Sequence, residues 1–280
     1  MTRPMRRRRV ASALVFGVTA GCAALTVSTL FFLLGYIVWH GIGGLNWAFF
    51  TQLPKPVGEL GGGMVNAIVG TAKLLFLATA IGIPIGCFGG IYLAEFGHGR
   101  LAFLVRYAAD VLNGVPSIVM GIFAYTLIVL PMRQFSALAG GVALGIMMIP
   151  IAVRSTEEFL KLVPLSVREA AWALGLPEWK TIAFVVIPAA YRGLLTGILL
   201  DVARVAGETA PLLFTAFNNR VWSHGWLEPI ASLPVMIYTY SIAPYDDWHR
   251  QAWAAALVLM LFVLVVNGGA RLLLPRRRAA

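Results

Sequence analysis

Asp201, Arg204 and Glu208 stand three and four positions apart in the apolar stretch from Gly193 to Phe217. On a helix turning about 100° per residue they share one stripe with Gly193 and Gly197. At ~1.5 Å per residue Arg204 would lie about 16 Å into a span begun at Gly193, near the middle of a ~30 Å hydrocarbon core. A charge at that depth is costly and ordinarily faces a bundle interior or a water-filled path. Two chemistries fit. In a pathway, arginine offers an oxyanion two parallel hydrogen bonds from a planar fork that stays charged in a dry site, while the carboxylates hold the guanidinium and limit how tightly it binds. In a scaffold, Arg204 and Glu208 would form an ion pair that fixes helix packing. Arg154, near the end of the preceding apolar stretch, is a second pathway candidate, with an ordinary basic membrane anchor as the alternative.

Other reactive constellations are missing from the sequence. None of the four lysines follows a glycine, which rules out a Gly-Lys-Ser/Thr phosphate loop. His40, His98, His224 and His249 lack metal-ligand spacing, and there is no GxSxG elbow. Cys22 and Cys87 both fall in apolar stretches, where packing explains them. No catalytic residue, metal or cofactor is expected on this chain, and any ATP hydrolysis is expected on another.

The elements that must position these residues follow from composition. Hydrophobic residues make up 59% and charged residues 12%, against roughly 45–50% and 25% in soluble domains. An all-α membrane protein with six spans is expected, at about 10–39, 65–93, 107–130, 136–153, 193–217 and 251–270. The first run is too long for a cleaved signal and reads as a retained anchor behind a basic tail, residues 1–9.

The net charge of +10 would suit nucleic acid, but its distribution follows the membrane. Sixteen of the 22 basic residues lie in the tail, between spans two and three, between spans four and five, and at the C-terminal end. These regions share one side of a six-span chain, so both termini are expected in the cytoplasm. Residues 218–250 then lie outside, with Trp222, Trp226, Tyr238, Tyr240, Tyr245 and Trp248 as expected interfacial anchors. Lys73, the one charge in span two, is expected to snorkel outward.

The inner-side segment SVREAAWALGLPEWKTIAFVVIP, residues 166–188, cannot comfortably cross lipid. Ser166 and Glu169 have capping-box spacing, Gly175 supplies a left-handed stop, and Pro177 suits the first turn of a second helix. A short helix, a bend and another helix are expected. The small-residue face fits either a partner's groove or the bilayer surface.

Glu169-Ala170-Ala171, three residues, Gly175, nine residues, then Val185-Val186-Ile187-Pro188 resembles the EAA loop of ABC importer membrane subunits. Val185 and Ile187 depart conservatively from that loop's Ile-x-Leu-Pro ending. IYLAEF at 91–96, NGVPSIVMGIF at 113–123, RSTEEFLKLVP at 154–164 and ARVAGETAPLLFTA at 203–216 resemble phosphate importer permeases. The last of these, with LPVMIY at 233–238, is closer to the PstA type than to the PstC type. The resemblance implies a type I permease core over 65–274. It also implies a coupling helix at Glu169, Ala170, Ala171 and Gly175 that fits a separate ATPase. The implied partners are a second, related permease subunit, two cytoplasmic ATP-binding subunits and a periplasmic phosphate-binding protein, in a bacterial inner membrane. Phosphate would pass inward by alternating access. An importer of another oxyanion, and a self-sufficient channel or secondary transporter, are the competing readings.

Overall fold

The computed structural model of the chain describes residues 3–272, so the arginines at 276–278 and the last residues of the expected core lie outside the described part. The described residues are almost entirely helical, with one isolated β-bridge between Pro54 and Gly62. The helices are α1 (Arg3–Gly41), α2 (Trp47–Thr51), α3 (Val65–Glu95), α4 (Gly99–Gly114), α5 (Ser117–Ala124), α6 (Leu130–Met132) and α7 (Ala137–Lys161). They continue as α8 (Leu165–Ala173), α9 (Glu178–Thr181), α10 (Ile187–Val205), α11 (Ala210–Thr215), α12 (Leu233–Ser241) and α13 (Asp246–Leu272). Among the described residues five helical stretches are long and apolar enough to cross a membrane, and a bent pair, taken as one span, makes a sixth.

The bundle is built on α3 and α7, which run in parallel. Gly82, Gly86 and Gly90 recur every four residues along α3 and meet Met148, Ala152 and Thr156 of α7. A Cβ on Gly86 would sit 2.3 Å from the Ala152 Cβ, so the two backbones approach as closely as small residues allow. Leu74, Ala78, Leu144 and Met148 continue this contact into the main core with Val205 and Leu212. α1 stands apart. Most of its length is exposed, and it touches the rest through its last turns, where Tyr36 and His40 pack on Trp253 of α13.

Two expected spans are interrupted. The third bends by 103° between Gly99–Gly114 and Ser117–Met132. Pro116 lacks an N–H and drives Val115 out of the helical region, to φ −71 and ψ 130. The fifth is helical from Glu178 to Val205 but stops at Ala206–Thr209 before resuming as α11. π-helical turns at Tyr125–Val129 and Ile182–Val186 each end two residues before a proline, Pro131 and Pro188. The wider turn re-registers the ladder that those missing donors interrupt.

The stretch 218–250 is not only a loop with interfacial aromatics. Its centre is α12, whose Leu233, Val235 and Met236 are buried. Tyr240 and Trp248 stack in the core with ring centroids 4.3 Å apart. Trp222, Trp226, Tyr238 and Tyr245 are the aromatics that remain exposed.

Candidate functional site

The end of α10 positions the first candidate group. Gly193 and Gly197 rest against the Phe159 ring of α7, and Gly197 also faces Ser155. One turn further, Asp201 is buried and accepts a hydrogen bond from Ser155 Oγ at 3.2 Å. Arg204 follows in the last helical turn, level with Met147 and Ile151 near the middle of α7.

The continuous stripe does not extend to Glu208, because Gly207 and Glu208 lie in the break. The scaffold pair expected between Arg204 and Glu208 is not formed among the described residues. Arg204 is exposed and Glu208 half-buried. Both line a cavity of about 200 Å³, closed on its other sides by Leu112, Asn113 and Val115 before the α4–α5 bend and by Ser117 and Met120 after it. Arg204 and Asp201, one turn apart, attract each other electrostatically. The break in α10 and the bend at Pro116 thus open one polar space in the bundle. Arg204 and Glu208 put one cation and one carboxylate on its wall, and Asn113 and Ser117 add neutral hydrogen-bonding groups.

Arg154 is placed differently. Its guanidinium forks onto Asp110 of α4, Nε donating to Oδ1 at 2.8 Å and Nη2 to Oδ2, while Nη1 donates to Glu157 Oε2 at 3.2 Å. Glu157 is 2% exposed and also accepts from Arg106 Nε at 2.7 Å and Lys161 Nζ at 2.5 Å. A carboxylate so desolvated is stable only because three cations surround it. Sequence reading missed Glu157 and Asp110 as members of this cluster. The signal available was an acidic residue three positions from Arg154 and four from Lys161 on one helix face.

The second candidate region is the loop after α7. The capping box is not formed: Pro164 is the N-cap, Ser166 lies inside the first turn, and no side chain caps the helix. Pro164 fixes φ at −58, and its carbonyl accepts from Val167 N, so the turn starts without the serine. The helix end follows the expectation in detail. Gly175 has φ +79, its N–H donates to Trp172 O at 2.9 Å, and Leu176 N–H donates to Ala171 O at 3.2 Å. These two bonds are a Schellman stop. α9 then starts after Pro177 and runs through the π turn into α10. Ala170 and Ala171 flank an open apolar groove shared with Leu174, Leu176 and Val185. Glu169, Leu174 and Trp179 are exposed on the same loop.

Arg168 was also missed. It is 9% exposed and its Nε and Nη2 fork onto Glu95 of α3 at 3.0 and 2.6 Å. Nη1 and Nη2 also donate to the Val163 and Leu160 carbonyls at 2.6 and 3.1 Å. The loop is therefore fastened to the ends of α3 and α7.

At the opposite end of the bundle Lys73 reaches Ser223 O at 3.2 Å and lies 5.7 Å from the Trp226 ring, away from the Arg204 cavity. Glu228 secures the same loop by accepting from Ser223 Oγ, His224 N and Gly225 N. Those backbone donors hold its carboxyl below the usual carboxylate range.

Comparison with known proteins agrees with this architecture. Residues 82–279 match the family described as binding-protein-dependent transport system inner membrane component. The chain is 45% identical over 262 residues to the phosphate transport system permease protein PstA of Yersinia pestis, covering 91% of this chain and 89% of that one. It is 42% identical over 272 residues to the PstA of Haemophilus influenzae, covering 97% and 96%. Its fold resembles that of the MetNI methionine ABC transporter in inward-facing conformations, with a TM-score of 0.58 at 18% identity over 75% of this chain and 91% of the other. An amino acid ABC transporter solved with histidines gives 0.56 at 19% identity, covering 75% and 91%. With its broken spans and fastened loop, the chain belongs to the binding-protein-dependent inner-membrane transport components and, among them, to the PstA phosphate permeases.

Proposed function

We propose that this chain is the membrane-spanning permease subunit of an ATP-driven importer that carries inorganic phosphate inward past Arg204. The observation that carries the reading is the placement of that guanidinium at mid-bundle depth, in a polar cavity, with no ion pair among the described residues. Asp201 steadies it from one turn away, and Glu208 on the cavity wall keeps phosphate from settling too firmly, since a conduit must also release. Arg154 shapes the same wall indirectly, because its fork is occupied by Asp110 and Glu157. The names of the close relatives support phosphate as the ion carried.

The end of the bundle carrying Glu95, Arg168 and the arginine-rich N-terminus faces the cytoplasm in this reading, following the distribution of basic residues. Glu169, Ala170, Ala171 and Gly175 there form the docking element for a partner ATPase, which binds and hydrolyses the ATP. A homologous second permease subunit, two ATP-binding subunits and a soluble phosphate-binding protein outside the membrane complete the assembly.

The test is Arg204→Ala and Arg204→Lys in the full assembly reconstituted in vesicles. Neither breaks a buried ion pair, so subunit stoichiometry and ATP hydrolysis should persist. Phosphate uptake in Arg204→Ala should fall about tenfold or more, the loss of one charge-assisted contact of about 1.5–3 kcal/mol. Arg204→Lys should retain part of it. Wild-type uptake in Arg204→Ala would remove the residue from the pathway.

A further inference from the structure

Two arginines from different parts of the chain converge on the last turn of α3. Arg168, on the coupling helix α8, forks onto the Glu95 carboxylate. Arg106, on α4, donates through Nη2 to Leu93 O at 3.0 Å and through both Nη1 and Nη2 to Gly97 O at 3.3 Å. Its Nε is held by the buried Glu157. Glu157 in turn binds Arg154, and Arg154 binds Asp110, two residues before the cavity-lining Leu112. The Glu95–Arg168 pair is buried on both sides and so is Glu157, whereas Arg106 and Arg154 are partly solvated and Asp110 is exposed. The buried contacts stay made when a helix shifts as a body and are costly to break.

We infer that the Leu93–Gly97 turn is a rigid joint, with Arg168 and Glu95 on one side and Arg106 and Glu157 on the other as positioning residues that carry displacement of the coupling helix to the bent α4–α5 helix at the Arg204 cavity. The inference rests on the reading of α8 as the ATPase docking element. It adds the route by which motion of that element reaches the substrate. The route is short: α8 to the end of α3 through one ion pair, the end of α3 to α4 through one arginine, then along α4 to the bend at Val115–Pro116. The other connections from α8 toward the cavity run through α7, whose Met147 and Ile151 line it, and through α9 and α10, whose helix is interrupted by the π turn at Ile182–Val186.

The test compares phosphate carried per ATP hydrolysed in the reconstituted assembly for the unaltered chain, Glu95→Gln, Arg106→Lys and Gly175→Val. Glu95→Gln keeps the shape of the side chain but removes the charge that Arg168 grips. Arg106→Lys keeps a cation beside Glu157 but lacks the planar fork that spans Glu157 and the Leu93 and Gly97 carbonyls together. Each is expected to leave the subunits associated while lowering phosphate carried per ATP at least about fivefold, the low end of typical coupling effects. A role in folding alone would lower yield and association without changing that ratio in the assemblies that form. An unchanged ratio in both Glu95→Gln and Arg106→Lys, with Gly175→Val uncoupled, would overturn the joint and leave the docking reading standing. An unchanged ratio in all three would mean that the docking reading itself has failed. If neither Glu95→Gln nor Arg106→Lys assembles, the cluster is a folding requirement and the joint is refuted.

Discussion

Gly175 allows a worked test of the coupling loop, because its surroundings separate conformation from packing. A Cβ built at this position meets nothing within 4 Å, yet the backbone sits at φ +79. Any cost of a side chain within this chain is therefore conformational. For an L-residue the left-handed region costs roughly 1–2 kcal/mol, more for a β-branched one, whereas asparagine visits it with little penalty. Since about 1.4 kcal/mol is a factor of ten, Gly175→Ala should depopulate the Schellman stop roughly five- to thirtyfold relative to glycine, and Gly175→Val further. Without the stop, α8 and α9 lose the bend that presents Ala170 and Ala171. The assay is co-purification with the ATPase subunits together with phosphate-dependent ATP hydrolysis. The expected order is Gly close to Asn, then Ala, then Val. Wild-type coupling in Gly175→Val would refute the reasoning. An order that follows side-chain size, with Asn as damaging as Val and Ala harmless, would show that the partner's surface and not the backbone sets the requirement.

Three further outcomes are expected. Glu157→Ala leaves Arg106, Arg154 and Lys161, all partly solvated, clustered without their shared carboxylate and should cost about 1.5–3 kcal/mol, the loss of hydrogen bonding to a charged group, read as a lowered melting temperature of the purified chain. The Glu228 carboxyl is held below its usual range, so its hold on residues 223–225 is complete above the unfolded value near 4.5 and is lost as pH falls through the lower folded value. Protection of the His224 and Gly225 amides, taken relative to the intrinsic exchange rate at each pH, should be constant through neutral pH, fall only below about 4.5, and lose that dependence in Glu228→Gln. Reporters placed after Arg9 and between Lys161 and Lys180 should be reachable only from the cytoplasm, and a tag near His224 only from outside; reversal of either would invert the assignment of the loop.

The spans, the loop and its glycine stop were legible because each depends on local signals: long apolar runs, a glycine after a helical run, a proline opening the next. The two interruptions were less visible, since Gly114–Pro116 and Gly207 sit inside stretches that remain long and predominantly apolar in spite of Asp110, Asn113, Arg204 and Glu208. A hydropathy count cannot distinguish a straight helix from one bent at a proline. The capping box failed for a related reason: Pro164 had already begun the turn, which left Ser166 two places past the N-cap. The charge cluster escaped because its members are far apart in sequence. Glu95 meets Arg168, and Arg106 meets Glu157, only after α3, α4 and α7 have packed. The burial of Tyr240 and Trp248 is likewise a tertiary outcome, since exposed anchors and core aromatics look alike in a sequence.

The most direct test of a permease driven by a separate motor is radiolabelled phosphate uptake into vesicles, with this chain alone and then with its permease, ATPase and binding-protein partners. The complete assembly should accumulate phosphate only when both ATP and the loaded binding protein are supplied, and the chain alone should move none. Phosphate movement by the chain alone, or uptake by the assembly that continues without ATP, would contradict a motor-driven subunit and favour a self-sufficient carrier or channel.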